Sequence, residues 1–327
     1  MAKKSMEKDR YLYLYLTTAL ICILIVAVIA AILLTGNLFS EEESGIVVSE
    51  SSMPFSEPVD QNSVESIAES ADEPEELFVY REIAFQNDAM SEGSLILVKN
   101  TTDATAPEKE ALELVNIYNN RPKGLYKLSG SGLVLEKEAF EAFNEMTEAF
   151  LTATQVSDIM INDAFVAIKD LKNRDIFYDY ADLASGRTVR LTVFPSNKGK
   201  MGEGVYLWLE DHCSKYGYIL RYPSDKTEQT GAASSVSVYR YVGVPHSKYM
   251  TENSITLEEY LEEIKSRDYT DPLVYTDADS KDTYYIYYQQ AGTGTSTNIK
   301  VPSELEYTFS GNNTDGFIIT VSVGEQQ

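Results

Sequence analysis

The longest apolar pattern in the chain lies near its start. Residues 11–34 read YLYLYLTTALICILIVAVIAAILL, and no charged residue occurs between Tyr11 and Ser40. A helix rises about 1.5 Å per residue, so about 20 such residues cross the hydrocarbon of a bilayer. The run predicts a transmembrane helix. A cleaved signal peptide competes as a reading, but its apolar region is only about 7–15 residues and ends in a small-x-small site. The run here is longer, and TGNLFS follows it. Lys3, Lys4, Lys8 and Arg10 precede the run, and Glu41, Glu42 and Glu43 follow it. An excess of Lys and Arg marks the cytoplasmic side. The expectation is a single-pass protein of the cell membrane, with a cytoplasmic tail (1–10), a span (11–34) and an extracytoplasmic main domain.

Beyond the span the pattern fades and then returns. Residues 35–76 are rich in Ser, Glu and Pro, and from 41 to 76 there are twelve acids and no base. Such a stretch buries too little apolar surface to repay its ordering, and self-repulsion extends it. It predicts an acidic, disordered stalk. From Leu77 apolar periodicity resumes. SLILVK (94–99) and AFVAIK (164–169) predict strands, and RTVRLTVF (187–194) alternates with Val189, Leu191 and Val193 on one face. EKEAFEAFNEMTEAFLTA (136–153) predicts an amphipathic helix with Phe140, Phe143, Met146 or Thr147, and Phe150 on one stripe. GVYLWLEDHCSKYG (204–217) predicts a helix ending on Gly217, followed by strands over YILRY and SSVSVYRYV. ITLEEYLEEIKSR (255–267) predicts a helix with Thr256 and Glu259 in capping-box spacing. After Arg267 come TYYIYYQQ, ELEYTFS and GFIITVSV, which alternate and predict a small β appendage over 268–327. Helices and strands mix without βαβ alternation, which predicts an α+β fold.

Charge and residue stock narrow the chemistry. The net charge of −24 and the lack of a basic stripe exclude nucleic acid as a partner. Of the two cysteines, Cys22 falls in the predicted span, so Cys213 has no partner for a disulfide within the outer domain. Outside the span only His212, Cys213 and His246 offer nitrogen or sulfur to a metal, a thin stock for zinc. There is no G-x-S-x-G nucleophile elbow, and neither KGKMGEG nor LSGSG is followed by Lys-Ser/Thr as a phosphate loop requires. Asn312-Asn313-Thr314 fits a glycosylation triplet, a pattern common by chance.

Trp208-Leu209, YGYILRYPSDK (216–226), Thr230-Gly231 and RYVGVPH (240–246) together resemble the VanY-like D-alanyl-D-alanine carboxypeptidases. These are zinc peptidases that trim the peptidoglycan stem peptide. SLILVK, the helix around EAFNEM and LEEYL extend the resemblance over roughly residues 94–266. In that family a Glu-Pro-Trp-His tetrad stands between the Thr-Gly and the Arg-Tyr-Val-Gly. Its Glu is the general base and its His a zinc ligand. Here those two positions hold Ser235 and Val238. The family's other two ligands come from Ser-Glu-His-x-x-Gly-x-x-x-Asp. Against it SGRTVRLTVF aligns Ser185, with Arg187 at the His position and Phe194 at the Asp position. The family's substrate-binding Arg aligns with Lys172.

The resemblance implies a bacterial envelope protein with a carboxypeptidase-like domain at 77–267, built as a small antiparallel sheet flanked by helices. With the ligand positions replaced, it implies no metal and no catalytic residue in a chain whose active relatives use zinc. The expected role is that of a pseudo-carboxypeptidase that binds peptidoglycan stem peptide, or scaffolds other envelope proteins, without hydrolysis. Lys172, Ser185, Arg187 and Arg240 are the candidate substrate-binding residues. Two alternatives stay open. One is an active D,D-carboxypeptidase with ligands rearranged around His212 or His246. The other is a structural or sensory envelope protein whose cleft is filled by Phe194 and Val238.

Overall fold

A computed structural model describes residues 77–101, 103–172 and 180–324. The predicted tail, span and stalk (1–76) lie outside the described residues. Among the described residues, no helix is long and apolar enough to cross a membrane.

The architecture is α+β. In chain order its main elements are β1 (Tyr80–Gln86), β2 (Leu114–Asn116), β3 (Lys127–Leu128), β4 (Val134–Glu136), α1 (Lys137–Thr154), β5 (Ile159–Asp163), β6 (Thr188–Val193), α2 (Leu207–His212), β7 (Tyr218–Tyr222) and β8 (Ser235–Tyr241). Then follow α3 (His246–Glu252), α4 (Leu257–Ile264), β9 (Leu273–Thr276), β10 (Thr283–Gln290), β11 (Ser296–Pro302), β12 (Glu306–Gly311) and β13 (Gly316–Val323). The central sheet runs β3-β5-β6-β8-β7. Its pairs are antiparallel except β3 with β5.

The stripe predicted on 136–153 is the buried face of α1. Phe140, Phe143, Met146 and Phe150 pack with Val189, Leu191, Val193 and Tyr239 of the central sheet. Each large apolar side chain buried this way stabilises the fold by about 1.5–3 kcal/mol. The Glu136 carboxylate caps the helix by accepting from the Glu138 N–H at 3.0 Å. Gln155 ends it in the left-handed region, at φ 58°. Gly217, predicted as a C-cap, also lies there, at φ 76°. A Cβ at Gly217 would sit 2.6 Å from the Tyr241 ring, so the close approach to β8 requires glycine as well.

A second core joins α3 and α4 to the C-terminal sheet, order β12-β13-β10-β9. Leu257, Tyr260, Leu261 and Ile264 of α4 bury against Leu273, Ile286 and Ile318. The capping box at Thr256 forms in full: Glu259 N–H donates to Thr256 Oγ1 at 3.2 Å, and Thr256 N–H donates to Glu259 Oε2 at 2.8 Å. The C-terminal β region is not built from 268–327 alone. β1 pairs along its whole length with β11, Tyr80 opposite Pro302 through Gln86 opposite Ser296.

Three local expectations are corrected. SLILVK is buried but is no strand. Its backbone is engaged by side chains and a turn: Arg240 Nη2 donates to the Ser94 and Ile96 carbonyls, and Leu95 N–H donates to Ser310 Oγ. AFVAIK is not a strand either; the strand is β5, just before it, and Ile168–Leu171 forms a helical turn. The helix predicted over 204–217 breaks into a 3-10 turn, the six residues of α2, and a second 3-10 turn.

Candidate functional site

The strand β6 carries two faces. Val189, Leu191 and Val193 turn into the α1 core, so Thr188, Arg190 and Thr192 turn the other way. Residues directly opposite across strands share a face. Arg190 lies opposite Asp163 on β5 and Val238 on β8, and Thr188 lies opposite Arg240. Of the positions aligned with the family motifs, this second face holds Val238, together with the candidate Arg240.

Arg187 enters β6 from a tight turn. Gly186 is left-handed, at φ 75°, and a Cβ there would meet Leu112 at 2.9 Å. Ser185 Oγ accepts the Arg187 N–H at 3.1 Å and lies 3.4 Å from Thr188 Oγ1. Ser185 is fully buried and serves this turn. The Arg187 guanidinium is buried too, and Nη1 donates to Glu136 at 2.9 Å and to Glu138 at 3.2 Å. Burial raises the Glu136 carboxyl above its ordinary range, although Arg187 pulls it down.

Arg240 is the centre of a buried ionic network. Asp182 accepts from Arg240 Nη1 at 2.8 Å and from Thr188 Oγ1 at 2.5 Å, with Arg221 Nε at 3.5 Å. Arg221 in turn makes a two-pronged bond to Glu258, at 2.7 and 3.0 Å. Burial pushes the Asp182 carboxyl up. Arg240, Arg221 and the Thr188 hydroxyl outweigh that and hold it below the usual carboxylate range. The remaining Arg240 donors go to the Ser94, Ile96 and Tyr241 carbonyls. Arg240 has no exposed surface with which to hold a ligand.

The other candidates lie apart from this network. Val238 is fully buried with Tyr222 and Ala232, and Tyr180 packs against them. Phe194 is half exposed at the end of β6, its ring 5.6 Å from the Lys127 ammonium. An apolar filling therefore exists at Val238, but Tyr222, Ala232 and Tyr180 supply it rather than Phe194. Ser235 opens β8 opposite Tyr222, and its Oγ accepts the Ser237 N–H at 3.3 Å. Lys172 is exposed and donates to the Ala104 carbonyl at 3.3 Å.

The structure adds Arg190 to the cations of this face. Arg190 Nε donates to Asp163 at 2.7 Å, and its guanidinium lies over the Tyr180 ring at 5.4 Å. Its side chain is 27% exposed. The alternation of RTVRLTVF already turns Arg190 away from the core, which is the signal that singles it out.

A family zinc does not fit these residues. The motif resemblance aligns a guanidinium (Arg187), a phenyl ring (Phe194) and an isopropyl group (Val238) with the three ligand positions, and none offers a lone pair to a metal. Arg187 and Phe194 flank opposite ends of β6, so the structure does not bring those two together. Among the described residues, no group of three or more His, Cys, Asp and Glu is arranged to hold a metal ion. His212 stacks on Trp208 at 4.3 Å, and its Nδ1 meets the Trp208 carbonyl at 2.9 Å. His246 is buried between the Tyr260 hydroxyl (2.7 Å) and Thr320 Oγ1 (3.3 Å). Burial pushes the Cys213 thiol up to about 12, which keeps it protonated and unreactive. Asn312 is buried, and its Oδ1 accepts the N–H groups of Thr314, Asp315 and Gly316. Its amide therefore builds a turn and is closed to glycosylation.

The sequence is similar to D-alanyl-D-alanine carboxypeptidases, and the fold is similar to that of a D,D-dipeptidase. A D-alanyl-D-alanine carboxypeptidase of Enterococcus faecium is 30% identical over 280 residues, covering 81% of this chain and 86% of that one. The bifunctional D-Ala-D-Ala dipeptidase and D-Ala-D-Ala carboxypeptidase VanXYC of Enterococcus gallinarum is 56% identical over 45 residues, 14% of this chain and 24% of that one. Among solved structures, the vancomycin-resistance D,D-dipeptidase VanXYg matches with a TM-score of 0.63 at 22% identity, covering 75% of this chain and 100% of that one. No family model matches the chain. The chain belongs to the VanY-like D-alanyl-D-alanine carboxypeptidase family.

Proposed function

We propose that the chain is a non-hydrolytic member of this family, anchored in the cell membrane by residues 11–34, whose domain binds peptidoglycan stem peptide. Two things support the first part: the motif resemblance aligns Arg187, Phe194, Val238 and Ser235 with the family's three zinc ligands and its base, and among the described residues no group of three or more His, Cys, Asp and Glu is arranged to hold a metal ion. Zinc in such a site supplies a water ionised near neutral pH and a Lewis acid for the scissile carbonyl. Neither follows from these side chains, and a serine hydroxyl is no substitute for a carboxylate base.

Binding is supported by the relatives and by two cations that keep exposed surface. VanXYg was solved with a D-Ala-D-Ala phosphinate analogue, which makes a D-Ala-D-Ala peptide the natural candidate ligand. Arg187 and Arg240 are neutralised internally. Arg190, on the second face and paired with Asp163, and Lys172, at the end of the helical turn Ile168–Leu171, keep exposed surface and are the cations that would meet the peptide's terminal carboxylate.

The test uses the full chain, purified from zinc-supplemented medium without chelator. Zinc per chain is measured by mass spectrometry, and D-alanine release from a stem pentapeptide is assayed beside the E. faecium relative. The expected result is no tightly held zinc, no release, and stem-peptide binding that weakens about tenfold with Arg190→Glu or Lys172→Glu. About one zinc per chain with D-alanine release would overturn the reading. Absence of both release and binding would favour a structural role in the envelope.

A further inference from the structure

We propose that the cavity between the Val244–Pro245 turn and the rim of the C-terminal sheet is a binding site for a neutral sugar. The cavity measures about 420 Å³. That lies within the range of about 300–1,000 Å³ typical of small-molecule sites, whereas three other cavities measure about 230–240 Å³.

Strand register explains its walls. Glu306 of β12 lies opposite Ser322 of β13, which lies opposite Tyr284 of β10. One step further along, Thr308 lies opposite Thr320. Residues opposite one another share a face, so these five line one side of the sheet. It is the same side on which Leu273, Ile286 and Ile318 pack against α3 and α4. The face therefore changes from apolar to hydroxyl and carboxylate as it leaves the core. A sheet surface turned toward its own domain is normally apolar, and local breaks in that rule concentrate at functional sites. Across the cavity stand Val244 and Pro245.

The lining selects the ligand class. Three aliphatic hydroxyls and one carboxylate offer donors and acceptors, and among the described residues no Lys, Arg or His lines the cavity. An anion would meet Glu306 without a counter-charge. Tyr284 and Pro245 supply apolar surface for the C–H faces of a ring, while the hydroxyls and Glu306 meet its O–H groups. A neutral pyranose, a hexose or N-acetylhexosamine, satisfies all of these at once. Thr320 is held in place from behind by His246 Nε2 at 3.3 Å. This cavity belongs to β10, β12 and β13, whereas the proposed stem-peptide face belongs to β5, β6 and β8. Each can therefore fail without the other.

The test titrates the full chain, in detergent, with the neutral trisaccharide of N-acetylglucosamine, read by saturation-transfer NMR and calorimetry. The expected result is saturable binding with transfer to the ring protons. Glu306→Gln and Thr308→Val, both at exposed positions, should each weaken it about fivefold, the loss of one hydrogen bond. Ser322→Trp should fill the cavity and abolish binding while thermal unfolding shows the fold intact. If the wild type shows no saturable binding, or if binding is unchanged in all three variants, the proposal is overturned.

Discussion

Arg240 Nη1 lies 2.8 Å from Asp182 Oδ1, and neither side chain has any exposed surface. Two arginines share this one aspartate, with Glu258 completing the charge balance. A buried pair gains little over an apolar replacement of both partners. Removing one partner is different, because it strands a buried charge. Asp182→Asn should therefore cost about 3–5 kcal/mol in urea unfolding. A loss below about 1 kcal/mol would mean that water reaches the network. Thr188→Val removes only a hydroxyl bond and should cost about 1–2 kcal/mol.

Short-range features were legible in the sequence. The α1 stripe, the Gly217 cap and the Thr256–Glu259 box each depend on residues within one or two turns. The ionic network was not legible, because Asp182 and Arg240 are 58 residues apart and acids are too abundant for any one to stand out. Arg240 read as a ligand-facing cation for that reason, and its burial emerged only with the register of β8 against β6. SLILVK misled because an apolar run signals burial without saying whether a strand or side chains will take its backbone groups. The pairing of β1 with β11 spans more than two hundred residues, and no local pattern announces it.

Arg187 and Glu136 form a second buried pair whose loss should show in pH dependence. Burial already raises the Glu136 carboxyl, and Arg187 opposes that rise. In Arg187→Met the folded-state value should rise further. A carboxyl raised on folding favours the folded state below its unfolded value of 4.5, and that contribution is lost as pH rises through the folded value. The variant should lose more stability than the wild type as pH rises above 4.5. Parallel pH profiles for the two proteins would show that Glu136 is not coupled to Arg187.

Lys248 ties α3 to the loop between β9 and β10. Its ammonium lies 2.7 Å from both oxygens of buried Asp277 and 2.9 Å from Asp279. Lys248→Met should leave Asp277 buried without its cation and cost about 3 kcal/mol. Hydrogen exchange should accelerate first in β9 and the loop that follows it. Uniform acceleration across the central sheet would instead mean that the domain unfolds as one unit with no local role for the clamp.

His246 supplies a separate pH signature. Its imidazole is buried between Tyr260 and Thr320, and burial pulls it from 6.5 down to about 3. Between those values the unfolded chain binds a proton that the folded chain refuses. Stability should therefore rise with pH across that window and level off above about 6.5. The shift corresponds to about 4–5 kcal/mol at most. Asp182 and Asp277 act lower, since their stabilisation is lost as pH falls below about 3.8. Glu136 acts with the opposite sign, so the comparison needs a variant that silences only the histidine. His246→Gln keeps a polar side chain that can bond to both neighbours and does not titrate. Unfolding midpoints measured from pH 4.5 to 7.5 should slope upward in the wild type and be flatter in His246→Gln. Equal slopes would mean that the imidazole titrates normally and that the pocket between α3, α4 and β13 is open to water.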